Sequence, residues 1–429
     1  MVGSACSAGT PYTFTVTLDL TQAQLLARQP WRLPSGYWPQ LSEATADLSA
    51  PVLAVCADAL AHNAHDLLRR ANGTRIRVAS KSVRVRGLLD AVLALPGYGG
   101  VLAYTVPEAL WLSETIEDVV VGYPTADRPA IAALARDERA ASRVTLMIDS
   151  TDQLDLIDSI LPATNRAQIR VCLDFDASWR TRALGQIGAL RSPIHEPAQL
   201  RALAEQVLRR PGFALVGIMS YEAQIAGVGD RPIGKPAQGA LMRLVQARSA
   251  AELAERRASA VSLVREIANL EFVNGGGTGS IERTAAESTI TEVAAGSGLL
   301  GPHLFDNYGA FTPAPAAAFA LDVVRRPNAR TATVHGGGWI ASGTAGKDRL
   351  PQVAWPLKLD YAPREGAGEV QTPLIGDAAR TLTVGDRVWL RHTKSGEPME
   401  HATEIAVVSL GARGYELMPT YRGEGKCFL

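Results

Sequence analysis

The chain carries no excess of either charge: 43 lysines and arginines balance 43 aspartates and glutamates over 429 residues. That balance removes any compositional case for nucleic acid or an anionic membrane as a partner. Cysteine is scarce. Cys6, Cys56, Cys172 and Cys427 are scattered, with no Cys-x-x-Cys pair and no Cys/His spacing. They read as reduced thiols in a cytosolic protein rather than as a disulfide framework. No apolar run approaches the ~18 residues of a membrane span. The first residues lack the basic start and apolar core of a secretory leader, so the expected location is the cytoplasm. No internal repeat or low-complexity tract stands out. What is present is a globular composition, 47% apolar and 20% charged, long enough for two domains or one large barrel with an addition.

Between residues 76 and 295, short β-rich runs alternate with amphipathic helical stretches. Strands are predicted at 76–80, 100–104, 118–122, 144–149, 169–174, 214–220, 270–274 and 291–295. Helices are predicted between them, at 83–95, 107–114, 128–134, 197–208 and 250–268. This alternation specifies parallel βαβ units. Eight of them close a (β/α)8 TIM-like barrel, whose reactive residues lie at the C-terminal ends of the strands; an open doubly wound sheet is the alternative. After residue 301 proline and alanine crowd 302–318, and then β-like runs at 321–325, 331–335, 369–372, 386–392 and 402–408 are separated by glycine turns. The runs 12–20 and 51–57 are also strand-like. The expected division is a barrel over 58–300 and a β-rich domain made of 1–57 and 301–429.

The strand Arg75-Ile76-Arg77-Val78-Ala79-Ser80 ends on Lys81. An amine at a strand mouth can condense with an aldehyde once its surroundings lower its pKa from roughly 10.4. Its ordinary alternative is a solvated strand-end lysine. Downstream, Asn274-Gly275-Gly276-Gly277-Thr278-Gly279-Ser280 follows a strand directly, and Ala295-Gly296-Ser297-Gly298 ends the next one. Glycines let a backbone approach an anion closely and the hydroxyls add donors, so two such turns at neighbouring strand ends describe a phosphate cup. No GKS or GKT closes the first turn, which is therefore not a Walker loop. His335-Gly336-Gly337-Gly338 has the look of an esterase oxyanion turn, but no GxSxG elbow occurs anywhere, and a hydrolase is excluded.

The order Asp58…His62-Asn63, strand, Lys81, Tyr221 after Gly-Ile-Met, glycine-rich loop, then Glu292…Gly296-Ser297 resembles the fold-type III pyridoxal 5′-phosphate enzymes. These are the group of alanine racemase, D-threonine aldolase and D-serine dehydratase. The run from Val384 to His392 is similar to the C-terminal domain of the aldolase/dehydratase branch. Val78-Ala79-Ser80-Lys81-Ser82-Val83-Arg84 and Pro419-Thr420-Tyr421-Arg422-Gly423-Glu424-Gly425 look like the proteins called amino acid deaminase/aldolase. The resemblance covers about residues 51 to 410.

By position, the resemblance implies that Lys81 binds the cofactor covalently and acts as base at Cα, and that Gly276, Gly277, Thr278, Gly296 and Ser297 hold the phosphate. Tyr221 would lie beside the pyridine ring, Arg84 would contact the cofactor, and Arg180 would approach its phenolic oxygen. Core or surface roles are the alternatives for Tyr221 and Arg84.

Two departures matter. Alanine racemases place an arginine against the pyridine nitrogen where this chain has Ala294, which argues against a pure racemase. Glu292, on the same strand face by period-two alternation, could protonate the ring or be a paired structural carboxylate. The aldolase branch carries a His-x-Cys or His-x-Asp metal pair where this chain reads His392-Thr393-Lys394. Three readings stay open: a divalent ion on His392 with Glu397, Glu400 or His401, Lys394 acting in the ion's place, or an ordinary buried histidine. The expected activity is a lyase cleaving a small, D-configured β-hydroxy amino acid by retro-aldol cleavage or by dehydration. The alternatives are an amino-acid racemase or epimerase and a non-catalytic cofactor carrier. A homodimer is what the family implies.

Overall fold

The computed structural model describes residues 18–21, 29–183 and 185–429. A helix (Pro34–Ala44) leads into β1 (Val52–Cys56), and the helix Ala57–Ala71 then opens the barrel. In chain order there follow β2 (Arg75–Ala79), β3 (Tyr98–Ala103), β4 (Val119–Val121), β5 (Val144–Ile148) and β6 (Ile169–Asp174). A small hairpin, β7 (Trp179–Thr181) and β8 (Gly185–Ile187), precedes β9 (Phe213–Ser220), β10 (Phe272–Gly275) and β11 (Glu292–Ala295). The eight strands other than β1 and the hairpin close on themselves in the order β2-β3-β4-β5-β6-β9-β10-β11, every pair parallel. Valine-rich segments such as Val119–Val121 are buried on both faces, against the helices outside and the barrel core inside. All eight predicted strands are found, displaced by no more than a residue or two at most ends.

Val120, Met147, Cys172, Val216, Met219 and Phe272 fill part of the barrel interior. The remainder is polar. Arg77 donates to both carboxylate oxygens of Glu292 (2.6 and 2.9 Å), continues to Asp118 and lies over the Phe272 ring at 5.2 Å. A buried guanidinium needs this double pairing, because an unpaired charge in such a site is very costly.

Beyond the barrel come β12 (Ala317–Asn328), β13 (Thr331–His335), β14 (Gln352–Trp355), β15 (Leu359–Tyr361), β16 (Gln371–Gly376), β17 (Arg387–Arg391), β18 (Glu404–Val408) and β19 (Glu416–Pro419). They form one sheet with β1, which pairs antiparallel to β12 and parallel to β18. The long β12 reaches β13, β1 and β17. The region before the barrel differs from the β-rich expectation: Pro34–Ala44 is helical. Its prolines obscure the pattern, although Pro34 at the first position suits a helix start and Pro39 is carried inside. Most of the strand expected at 12–20 lies outside the described residues. The helix expected at 250–268 is longer, Pro236–Arg265. Gly337 belongs to a structural turn packed against Thr372.

The β sheet is tied to the barrel at its C-terminal strand ends. His303 N–H donates to the His392 carbonyl (3.0 Å), Arg391 pairs with Asp306 (2.7 Å), and Ser395 Oγ donates to the Ser297 carbonyl (2.8 Å). Asn63 joins the first barrel helix to Leu299 and Ala314 (2.9 Å each). No helix among the described residues is long and apolar enough to cross a membrane.

Candidate active site

Lys81 follows β2 in a single turn of 3-10 helix, Ser80–Ser82. Its neighbours Ser80 and Ser82 are buried while its own side chain is exposed at the barrel mouth. Nζ lies 5.6 Å from the centre of the Tyr123 ring and makes no hydrogen bond or ion pair among the described residues. Above it, the loop from β17 passes so closely that a β-carbon on Gly396 would overlap the Lys81 carbonyl oxygen. Gly396 has φ +87°, a left-handed conformation that also favours glycine.

The two glycine turns meet across the mouth. Thr278 Oγ1 accepts from the Gly298 N–H (3.1 Å) and lies 3.3 Å from Ser297 Oγ, which joins the turn after β10 to the turn after β11. Space there is tight: a β-carbon on Gly296 would come within 2.5 Å of the Ala79 carbonyl, and one on Gly277 within 3.1 Å of the Tyr221 ring. Glu222, 1% exposed, braces the first turn. It accepts from Gly276 N–H (3.1 Å), Ser280 Oγ (3.0 Å) and Thr284 Oγ1, and Arg257 balances its charge at 2.9 Å. Gly276 N–H is thus spent on Glu222. The N–H groups of Thr278, Gly279 and Ser297 have no hydrogen-bond partner among the described residues. Unpartnered backbone donors in a glycine-built concavity suit a phosphate, and an unpartnered amine nearby suits an aldehyde. The residues present therefore fit pyridoxal 5′-phosphate.

Three contributors at the mouth were not singled out from the sequence. Tyr123 follows β4. Arg191, in the loop between β8 and the helix Pro197–Arg209, is exposed; its guanidinium lies 5.9 Å from the Tyr123 ring and 5.8 Å from the Tyr221 ring, with no ion pair among the described residues. Asp174 ends β6; burial pushes its carboxyl up to about 7, the Asp149 charge adds to this and Arg191 opposes it. Position just past a barrel strand end is the one signal that could have found them.

Several predicted residues lie elsewhere. Glu292 opens β11, opposite Arg75 at the N-terminal end of β2, and its carboxylate is held by Arg77 and by Asn274 Nδ2 (2.9 Å). The structure does not bring it to the strand-end cluster. Arg84 turns away from the turns: Nε donates to the Lys81 carbonyl (2.9 Å) and Nη1 pairs with Glu400 (2.7 Å). Arg180 sits on the β7–β8 hairpin, half exposed and paired with Asp176 (2.9 Å), which also meets His195 Nδ1 at 3.0 Å.

The loop after β17 forms the roof. His392 is 2% exposed, and burial together with the Arg391 charge pushes its pKa down to about 3, so the ring is neutral. Nδ1 lies 3.1 Å from the Ala317 carbonyl, which can only accept, so Nδ1 carries the proton and Nε2 the lone pair. Ser395 Oγ lies 3.2 Å from Nε2, but its one proton goes to the Ser297 carbonyl, so it is Ser395 that ties the roof to Ser297. Lys394 Nζ is 3.1 Å from Ser342 Oγ, and its pKa is lowered by burial and by cations that include Lys81.

The donor set does not fit a divalent ion. Glu400 is held by Arg84 and Arg422, Glu397 by Ser342 N–H (2.9 Å) and Oγ (2.5 Å), and His401 stacks on Trp339 at 4.9 Å. No group of three metal-ligating side chains converges among the described residues.

Residues 55–303, more than half of the chain, match the alanine racemase N-terminal domain family. The chain belongs to that family. A D-threonine aldolase from Arthrobacter sp. is 27% identical over 203 residues, 47% of this chain and 47% of that protein. The match spans about half the length of that relative. Among solved structures, D-threonine aldolase from Filomicrobium marinum superposes with a TM-score of 0.72 at 20% identity, covering 88% of this chain and 96% of its own. D-threo-3-hydroxyaspartate dehydratase from Delftia sp. HT23 gives 0.67 at 17%, covering 88% and 99%. Alanine racemase from Corynebacterium glutamicum gives 0.54 at 15%, covering 80% and 90%. These likenesses establish the fold: a family barrel with a β domain attached.

Proposed function

We propose that this family member is a pyridoxal 5′-phosphate-dependent lyase acting on a small β-hydroxy amino acid of D configuration. The reaction is retro-aldol cleavage to glycine and an aldehyde, or dehydration to a keto acid and ammonia. The observation that carries this reading is the unpartnered Lys81 amine at the barrel mouth, under the β-domain roof and near two turns that bear free N–H donors. A carrier would have no need of that second wall. The aldolase and dehydratase among its relatives support the reaction class.

The cofactor supplies, when bound, an electron sink for the pair released at the substrate Cα. Thr278, Gly279 and Ser297 hold its phosphate through backbone N–H groups, with Gly276, Gly277 and Gly296 keeping the backbone clear. Lys81 holds the cofactor and moves the proton at Cα. Arg191, rather than Arg180, offers a free cation to an anionic oxygen, and Tyr123 and Tyr221 wall the mouth. Lys394, the amine in the roof loop two residues after His392, takes the task at the β-hydroxyl, accepting the hydroxyl proton in the aldol route and donating to the departing oxygen in dehydration. Ser395 holds the roof to Ser297, and the buried, neutral His392 beside it holds the Ala317 carbonyl rather than a metal.

The test is incubation of cofactor-loaded protein with D-threonine, D-serine and D-threo-3-hydroxyaspartate, with and without chelator, reading aldehyde, glycine, keto acid and ammonia. Cleavage of at least one substrate, unaffected by chelator, is expected. Interconversion of enantiomers without cleavage would replace the lyase by a racemase. Loss on chelation, restored by a divalent ion, would contradict the role given to Lys394.

A further inference from the structure

The sequence 419–425, Pro-Thr-Tyr-Arg-Gly-Glu-Gly, is absorbed by none of the roles above, yet it packs against Arg84, three residues after the reactive lysine. Tyr421 N–H donates to the Arg84 carbonyl (3.0 Å), and its hydroxyl donates to Glu108 (3.0 Å), whose other oxygen accepts from Tyr104 N–H (2.8 Å). Arg422 pairs with one oxygen of Glu400 (2.6 Å) and Arg84 with the other (2.7 Å). Arg84 in turn donates to the Lys81 carbonyl at 2.9 Å and adopts φ +53°, a conformation a non-glycine residue keeps only where its surroundings impose it. The chain of contacts is continuous from the segment after β19 to the backbone of Lys81.

We infer that Tyr421, Arg422 and Glu400 are positioning residues for Lys81, acting through Arg84. The β domain thereby fixes both where the amine points and which charge faces it. Two effects are combined. Tyr421 N–H holds the Arg84 carbonyl, and Glu400, shared by Arg84 and Arg422, offsets their positive charge beside the Lys81 backbone. Without Glu400 the guanidinium on the Lys81 carbonyl loses its counter-charge, and added positive charge nearby favours the neutral form of the amine. This inference rests on the reading of Lys81 as the cofactor-binding amine, and it is tested first without cofactor.

In cofactor-free protein, the rate of Lys81 modification by an amine-reactive reagent near neutral pH is measured by peptide mapping, with the other lysines as internal reference. Glu400→Gln is expected to raise the Lys81 rate by about threefold or more, since one pKa unit is a tenfold change in free amine. Glu400→Asp, which keeps the charge, is expected to restore it. In cofactor-loaded protein, Glu400→Gln and Arg422→Met are expected to change the sign or intensity of the visible circular dichroism band while the melting temperature stays within a few degrees.

Arg422→Met removes the second cation from Glu400 and carries the test should Glu400→Gln fail to fold, with Lys81 labelling expected to fall below the parent's. Labelling and dichroism equal to the parent in the folded variants would overturn the inference, as would failure of Glu400→Asp to restore the rate. If the parent takes up no cofactor at all, the proposed function fails, while the labelling result still decides whether this segment governs Lys81.

Discussion

Lys394 and Glu292 carry opposite lessons at the scale of single residues. Lys394 sits within electrostatic reach of Lys81 with its pKa lowered by burial. Lys394→Met is expected to lower kcat by about 100-fold or more, the usual contribution of a general acid–base group. The visible absorbance of the bound cofactor should remain; a near-parental kcat would remove Lys394 from the reaction. Glu292 is deep in the barrel, paired with Arg77 at 2.6 Å. Glu292→Gln leaves Asp118 as the one carboxylate on that buried guanidinium and is expected to cost about 3 kcal/mol of stability, with the cofactor band unmoved. A shifted band in a protein of unchanged stability would instead return Glu292 to the cofactor. Period-two alternation gives the face of a residue but not its depth. Glu292 and Ala294 do share a face, but Glu292 lies at the opposite end of the strand from the mouth. Tyr123 and Arg191 were missed because loop residues show no periodicity, and Asp174 because a lone carboxylate at a strand end looks like any other until packing buries it.

At the scale of elements, glycines set the distance between the roof and the lysine. Gly396→Ala meets both a left-handed φ and the Lys81 carbonyl oxygen, so it is expected to cost about 2–4 kcal/mol in urea unfolding and to weaken cofactor retention. Gly385→Ala is the control. Its φ is +97° but nothing lies within 4 Å of the added carbon, so about 1 kcal/mol and normal retention are expected. Equal behaviour of the two variants would show that the contact with Lys81 has no consequence. The barrel strands were legible because each is a short, β-branched, buried run between amphipathic helices. Pro34–Ala44 was not, since two prolines hide a helix that starts on one and tolerates the other.

At the scale of the whole molecule, barrel and β domain share a buried carboxyl whose protonation affects stability. Burial pushes Glu108 from an ordinary 4.5 up to about 7, and the hydrogen bonds it receives offset this only in part. Folded protein therefore holds a proton that unfolded chain has released. The stability from this group is full below about pH 4.5 and is lost as pH rises through about 7. Between pH 4.5 and 7.5 the parent is expected to lose on the order of 2–3 kcal/mol more than Glu108→Gln, read from urea unfolding at both values. Asp174 has the same sign but is common to both proteins, so the difference isolates Glu108. Equal losses would contradict the buried, protonated state. The division into barrel and β sheet was visible as a change of texture near residue 301. How the sheet folds back over the strand ends was not, because contacts such as Ser395 with Ser297 and Tyr421 with Arg84 join residues far apart in the chain.

The central claim is that Lys81 is the amine that holds the cofactor. Its most direct test is the visible spectrum of protein incubated with pyridoxal 5′-phosphate, before and after borohydride, followed by peptide mapping. The account predicts a band near roughly 420 nm that reduction abolishes, with the reduced adduct on Lys81 alone, as expected of an activated lysine. A protein that gains no band, or an adduct fixed on Lys394 or another lysine, would contradict it.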